Sequence, residues 1–185
     1  MEFDNRNNLA VKFLNPDKII SELEILPGMR VAHFGCGTGF FTFSVAKKIG
    51  ESGLVYAIDI QSSKIETMQS QAKMLGLNNV DAYRANLEEK KGSKIKNEDV
   101  DWVFIINMLY QNKKKHEVLE EAKRVLKVGG KILLIDWESK DRSFGPEMES
   151  RVSQDELAVM IEKSDLSILK KINVSNFHFG LVLVK

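Results

Sequence analysis

The sequence holds a single cysteine, Cys36, among 185 residues. A lone thiol has no partner for an intramolecular disulfide and no companion for a thiolate metal site. A disulfide-stapled fold and a cysteine-rich metal module are therefore excluded, no metal is expected, and Cys36 reads as a small residue filling a tight loop. Charge of one sign is also lacking, since 27 Lys and Arg against 26 Asp and Glu leave +1. That balance denies the chain a global basic field for a nucleic-acid backbone, although it leaves a local patch open. No apolar run approaches the length of a membrane span, and the opening stretch MEFDNRNNLA is polar, without the apolar core of a signal peptide. A cytoplasmic placement is the expectation. What is present is the composition of an ordinary soluble domain, 43% hydrophobic and 29% charged, in a length that supports one substantial core. We expect a single domain over residues 1–185, with no internal repeat.

The chain is organised around Val31 to Gly39, VAHFGCGTG, where a short apolar run breaks into glycines at every second position and an amphipathic stretch begins at once. This spacing predicts a strand, a tight turn and a helix start. Gly35, Gly37 and Gly39 remove side chains where the backbone turns sharply and where a ligand can lie against it. Leu54 to Asp59 then reads as a second buried strand ending in a carboxylate, 59 − 39 = 20 residues past the last glycine. An acid at that interval is placed to accept hydrogen bonds from ribose hydroxyls. The dinucleotide fingerprint G-x-G-x-x-G/A needs Gly or Ala at position 40, and Phe40 stands there. This counts against an NAD(P)-dependent oxidoreductase, which stays as a lesser alternative.

Taken in order, Asn15-Pro16-Asp17 opens a helix with Ile19, Ile20, Leu23 and Leu26 on one face, stopped by Pro27-Gly28. Residues 1–28 thus form an N-terminal helical cap, with Phe13 and Leu14 as candidate lid or core residues. Phe40 to Ile49 is a helix ended by Gly50, and Ser62 to Leu75 another, capped by Ser62 or Ser63 and stopped at Gly76. Asn79 to Arg84 is a third strand. Lys90 to Lys96, flanked by Glu88, Glu89, Glu98 and Asp99, reads as a solvated connection. Asp101 to Ile106 is a nearly continuous apolar strand of the kind found at the centre of a parallel sheet. Ligands of open parallel sheets gather outside the strand carboxyl ends, so substrate contacts are expected at Asn107 to Gln111. Lys115 to Leu126 is a helix with Val118, Leu119, Ala122 and Leu126 inward, followed by the turn Lys127 to Lys131 and the strand Ile132 to Trp137. Residues 138–153, containing Phe144-Gly145-Pro146, form a polar irregular segment that suits a substrate flap. Ser153 caps the helix Gln154 to Lys163 with Glu156 as capping-box partner. The strands Leu166 to Val174 and Phe179 to Val184 close the chain as an antiparallel pair.

The loop Gly35-Cys36-Gly37-Thr38-Gly39, the acid Asp59 and the run LKVGGKILLIDW from Leu126 to Trp137 resemble the class I S-adenosylmethionine-dependent methyltransferases, in particular the ubiquinone and menaquinone methyltransferases and the type 11 and type 25 groups. The resemblance covers Pro16 to the end of the chain. It implies an α/β, Rossmann-like class I methyltransferase fold: a seven-stranded, mostly parallel sheet in the order 3-2-1-4-5-7-6, the last strand antiparallel, with helices on both faces. It also implies S-adenosyl-L-methionine as cofactor. Gly35, Cys36, Gly37 and Gly39 would then line its methionine portion, Asp59 and Ile60 the ribose and adenine, and Asn86 and Leu87 the far side of the base, with Asn107 completing the pocket.

Two positions depart from the family. His33 stands where the family carries an acid; a neutral imidazole accepts a hydrogen bond from the cofactor's ammonium, whereas a protonated one repels it. Asn86 stands where the family commonly has the Asp that meets the adenine amino group, and its amide oxygen suits the same donor. Transfer is an in-line displacement in which positioning contributes most of the rate gain. If the acceptor must lose a proton, Tyr110 and His178 are the candidates, His178 being read as a surface residue of the terminal hairpin. Asn107 and Tyr110 have the spacing of the N-P-P-Y motif of amino-group methyltransferases without its prolines, and Tyr110 with Lys114 matches Y-x-x-x-K by accident of spacing. A small organic acceptor is implied, with protein or RNA acceptors left open, and the lone Cys36 argues against the arsenite-methylating relatives. His33 keeps one alternative in view, a catalytically lapsed cofactor-binding or scaffold protein on the same fold. Nothing in the pattern specifies an oligomeric state.

Overall fold

In the computed structural model the described residues are 14–139 and 144–185. Expectations placed on Phe13, on the first part of the 1–28 cap and on 140–143 within the flap lie outside them. Apolar runs with no polar alternation need cover on both faces, and the sheet supplies it. Its strands are β1 (Arg30–Phe34), β2 (Leu54–Asp59), β3 (Val80–Arg84), β4 (Val100–Ile106), β5 (Leu126–Trp137), β6 (Ser167–Ile172) and β7 (His178–Val184). They lie in the order β3-β2-β1-β4-β5-β7-β6. The first five run parallel, and β7 pairs antiparallel with both β5 and β6. The expected order and the reversed last strand are both observed.

The helices are α1 (Pro16–Ser21), α2 (Phe40–Ile49), α3 (Ser62–Met74), α4 (Lys115–Val125) and α5 (Gln154–Lys163). On one face of the sheet, Phe104, Ile106, Leu133 and Ile135 pack with Ile19 and Ile20 of α1 and Phe41, Val45 and Ile49 of α2. On the other, Val103, Ile105, Ile132 and Leu134 pack with Val118 and Leu119 of α4 and Leu157 and Ile161 of α5. A third cluster sets Ile65 and Met68 of α3 against Ala57 and Ala82. Burial of β4 on both faces explains why it reads as a continuous apolar run.

Several local expectations are corrected. Neither Ser62 nor Ser63 caps α3; Gln61 is the N-cap and its side chain makes no cap bond. The entry is held instead by Asp59, whose Oδ1 accepts the Gln61 N–H at 3.0 Å. Residues 127–131 are not a separate turn, because β5 starts at Leu126 paired with Val100, and the register shift between Val100 and Trp102 absorbs the glycines. Leu126 accordingly belongs to β5, and Val125 takes the last inward place of α4. The lysine-rich connection is pinned at Ser93, which is fully buried and whose N–H donates to Glu121 Oε1 at 2.9 Å. Ser153 caps α5 by accepting the Glu156 N–H at 3.1 Å, but the Glu156 carboxylate faces Lys115 at 3.6 Å. This sheet leaves the carboxyl ends of β1 to β5 on one edge, and the site is built there.

Candidate functional site

A cavity of about 560 Å³ lies on that edge, lined by residues from the ends of β1, β2, β4 and β5 and from the loops after β1, β3 and β4. Its floor is the glycine loop. Gly35, Gly37 and Gly39 all take positive φ, at +67°, +55° and +100°, which a side chain rarely tolerates. The three differ in what surrounds them. A Cβ at Gly35 would stand 2.7 Å from Met108 Cγ and one at Gly39 2.4 Å from the Phe43 ring, whereas at Gly37 nothing lies within 4 Å. Gly35 and Gly37 line the cavity, with Gly37 the open one, whereas Gly39 does not line it and serves packing. Cys36 is buried, and its burial with the Asp59 charge pushes the thiol well above the usual range, which removes it as a nucleophile.

Asp59 is 7% exposed and its carboxylate is already an anchor. Oδ2 accepts the Gly37 N–H and Oδ1 the Gln61 N–H, both at 3.0 Å. Each oxygen retains a lone pair. Ile60, half-exposed, follows on the cavity wall.

His33 is 3% exposed, with Nδ1 2.8 Å from Thr42 Oγ1 and its ring edge-on to Phe104. Burial lowers its pKa to about 3, so the imidazole is neutral. Asn107 takes φ +51°, unusual outside glycine. Its N–H donates to Ile135 O at 2.8 Å and its carbonyl accepts from Gln111 Nε2 at 2.9 Å, while Oδ1 is buried without a partner. Tyr110 lines the cavity in the short helical turn Leu109–Gln111, and its N–H donates to Asp136 Oδ2 at 3.2 Å. Burial, aided by the Asp136 charge, pushes its phenol up to about 12.

Leu87, at 4% exposure, and Asn86 close the far end. Asn86 proves to be an Asx-turn residue: Oδ1 accepts the Glu88 N–H at 3.1 Å and Nδ2 donates to Glu89 Oε1 at 3.0 Å. His178 departs further from expectation. It is 3% exposed, not a surface histidine, because β7 pairs it with Trp137 inside the sheet and the two rings pack at 4.2 Å, tilted by 35°. Its Nδ1 meets Ser175 Oγ at 2.8 Å, burial lowers its pKa to about 4, and it is not among the residues lining the cavity.

Residues that sequence reasoning passed over also gather here. Asp136, fully buried, accepts the N–H groups of Trp137 and Tyr110 and holds the turn after β4. Trp137 lines the cavity with its Nε1 unpartnered, and Gly145 sits so close that a Cβ there would stand 2.5 Å from the indole. Arg151 donates to the carbonyls of Pro146 and Glu138, so the described part of the 138–153 segment is fastened to the sheet edge. Leu14, which the sequence does offer as a lid or core residue, is 3% exposed and lines the cavity. The only signal for Asp136 in the sequence is an acid interrupting an apolar strand. Among the described residues no group of three or more His, Cys, Asp or Glu is arranged to hold a metal ion.

A family model described as a methyltransferase domain matches residues 25–176. The demethylmenaquinone methyltransferase of Lactococcus lactis subsp. lactis is 28% identical over 139 residues, which is 71% of this chain and 53% of that protein. The ubiquinone/menaquinone biosynthesis C-methyltransferase UbiE of Blochmanniella floridana is 31% identical over 121 residues, 64% of this chain and 46% of that protein. The chain thus spans about half the length of the curated relatives it matches. Among solved structures, a SAM dependent methyltransferase from Aquifex aeolicus superposes with a TM-score of 0.87 over 100% of this chain and 98% of that one, at 26% identity. With the family model spanning every strand from β1 to β6 and the superposition extending through β7, the chain belongs to the methyltransferase domain family.

Proposed function

We propose that the protein is an S-adenosylmethionine-dependent methyltransferase acting on a small organic acceptor. The observation that carries this reading is the pairing at Gly37: its φ of +55° and open surroundings leave a cradle that a side chain would fill, while its N–H is fixed on Asp59. A loop so held needs no anion to order it, in keeping with a cofactor that has no pyrophosphate. The unpartnered Asn107 Oδ1 and the neutral His33, both on the cavity wall, suit the donors of an ammonium group. The residues present therefore fit the group.

In this reading Gly35, Cys36 and Gly37 border the methionine portion with His33 and Asn107, Asp59 and Ile60 the ribose and adenine, and Asn86 and Leu87 the far wall of the base, while Gly39 turns the chain into α2 without lining the cavity. The bound sulfonium supplies an electrophilic methyl group. The chain itself supplies position and a dry wall, which suffices for an in-line displacement. Tyr110 retains its proton near neutral pH and orients the acceptor as a hydrogen-bond donor. His178, held away by Trp137, serves the wall and not proton transfer. A cavity of about 560 Å³ is of the size that encloses small ligands, and the quinone methyltransferases among the relatives support a small acceptor over protein or RNA. We read residues 1–185 as one domain, with the described part of 138–153 held by Arg151 and Gly145 against Trp137 on the acceptor side. No helix among the described residues is long and apolar enough to cross a membrane, and we place the protein in the cytoplasm.

The test is adenosylhomocysteine formation with a panel of small phenols, quinols, amines and thiols, run beside bulk protein and RNA. Turnover on a small acceptor supports the reading. Binding of the cofactor without turnover on any class favours the lapsed scaffold, to which His33 lends its one specific argument.

A further inference from the structure

The far end of the cavity contains two asparagines with opposite hydrogen-bond states. Asn86 is already engaged in its turn: its Oδ1 accepts the Glu88 N–H and its Nδ2 donates to Glu89. Asn112, from the loop after β4, reaches the same corner and donates Nδ2 to Glu88 Oε1 at 2.9 Å. The same carboxylate oxygen accepts the Lys113 N–H at 2.9 Å, so Glu88 straps the loop after β4 to the loop after β3. Because an ionised carboxylate only accepts, the amide nitrogen of Asn112 must face Glu88 and its oxygen must face away. That oxygen is buried and has no partner. An unmet buried acceptor is costly, and the cost is recovered when a ligand brings the missing donor.

We propose that Asn112, oriented by Glu88, is the residue that recognises the exocyclic amino group of the cofactor's base, in place of Asn86. The proposal rests on the cofactor reading above and assigns base specificity within it. Asn112 acts as an acceptor that a 6-amino purine satisfies and a 6-oxo purine opposes, since two carbonyl oxygens would then face each other. Glu88, which also borders the cavity, is a positioning residue: it holds the amide nitrogen of Asn112 and so sets which end of that amide is left for a ligand. Asn86 shapes the turn that carries Leu87.

The experiment is equilibrium titration of the intact protein with S-adenosylhomocysteine and with S-inosylhomocysteine, its 6-oxo counterpart. The unmodified chain is expected to prefer the amino form by about tenfold or more, the scale of one buried hydrogen bond exchanged for a repulsive contact. Asn112→Ala brings the preference to about threefold or less. Glu88→Gln, whose amide can also donate, lets the Asn112 amide turn over and lowers the preference without removing the side chain, a result that loss of packing alone would not give. Asn86→Ala weakens both ligands together and leaves their ratio. Equal affinity for the two ligands, or a preference erased by Asn86→Ala and kept by Asn112→Ala, overturns the assignment of Asn112 while the cofactor reading stands. Failure of the unmodified chain to bind S-adenosylhomocysteine at all overturns both.

Discussion

The Gly37 N–H donates to Asp59 Oδ2 at 3.0 Å, and this bond joins the loop after β1 to the end of β2 before any ligand arrives. Asp59→Ala removes it together with the bond from Gln61 N–H, leaving two backbone donors at a residue only 7% exposed. The expected cost is about 1–3 kcal/mol in urea unfolding, with at least a tenfold loss of cofactor affinity. Asp59→Asn keeps one acceptor oxygen and should lose about half as much. Equal losses for the two variants would mean that the charge, not the bonding, sets the loop.

The glycines separate packing from ligand access. Gly39→Ala drives a methyl group to 2.4 Å from the Phe43 ring at φ +100° and should destabilise the fold by about 2–3 kcal/mol. Gly37→Ala meets no atom within 4 Å, so its folding cost is confined to the positive φ, about 1 kcal/mol. Its cofactor affinity should nevertheless fall more than tenfold, because the methyl group enters the cradle. Thermal melts with and without ligand read the two effects apart.

Asp136 gives a stability slope of its own. Burial raises its pKa to about 7 from 3.8, so the folded chain holds this proton more tightly than the unfolded one. Its contribution is full below about pH 4 and is lost as pH rises through about 7. Asp136→Asn should remove that slope: relative to the variant, the native chain gains on the order of 2 kcal/mol between about pH 7.5 and about pH 5 in urea titrations. A constant difference across that window would contradict the buried, protonatable carboxyl.

The histidines act with the opposite sign. Burial lowers the pKa of His33 to about 3 and that of His178 to about 4 from 6.5, so the unfolded chain takes up protons first as pH falls. Stability from each is present above about 6.5 and declines below it. His178→Gln keeps a polar group for Ser175 and should flatten part of the loss between about pH 6.5 and about pH 4.5, read from melting temperatures.

The strands were legible because hydrophobic period and glycine placement are properties of the chain itself, whereas their order in the sheet came from the family resemblance. LVYAID ends at Asp59 in both sequence and structure, and the reversed β7 follows from two short strands too close for a crossover. Side-chain partners were not legible. His178 looked like a hairpin surface residue because nothing local reveals that Trp137 of β5 packs on it. Asn86 had the residue type for the base, but its oxygen already accepts a turn bond from the Glu88 N–H, a matter of local dihedrals. Asn112 carried no motif, and its orientation depends on a carboxylate 24 residues away. Lys90 to Lys96 looked solvated because charge dominates it, although Ser93 is locked to Glu121.

The first measurement to make is calorimetric titration with S-adenosylmethionine and S-adenosylhomocysteine, followed by NADH and NADPH. The geometry at Gly37, Asp59 and Phe40 leads us to expect micromolar binding of the first pair, lost in Asp59→Ala, and none of the second. Binding of the nicotinamide pair, or silence toward both, would contradict the proposed activity and leave the fold alone standing.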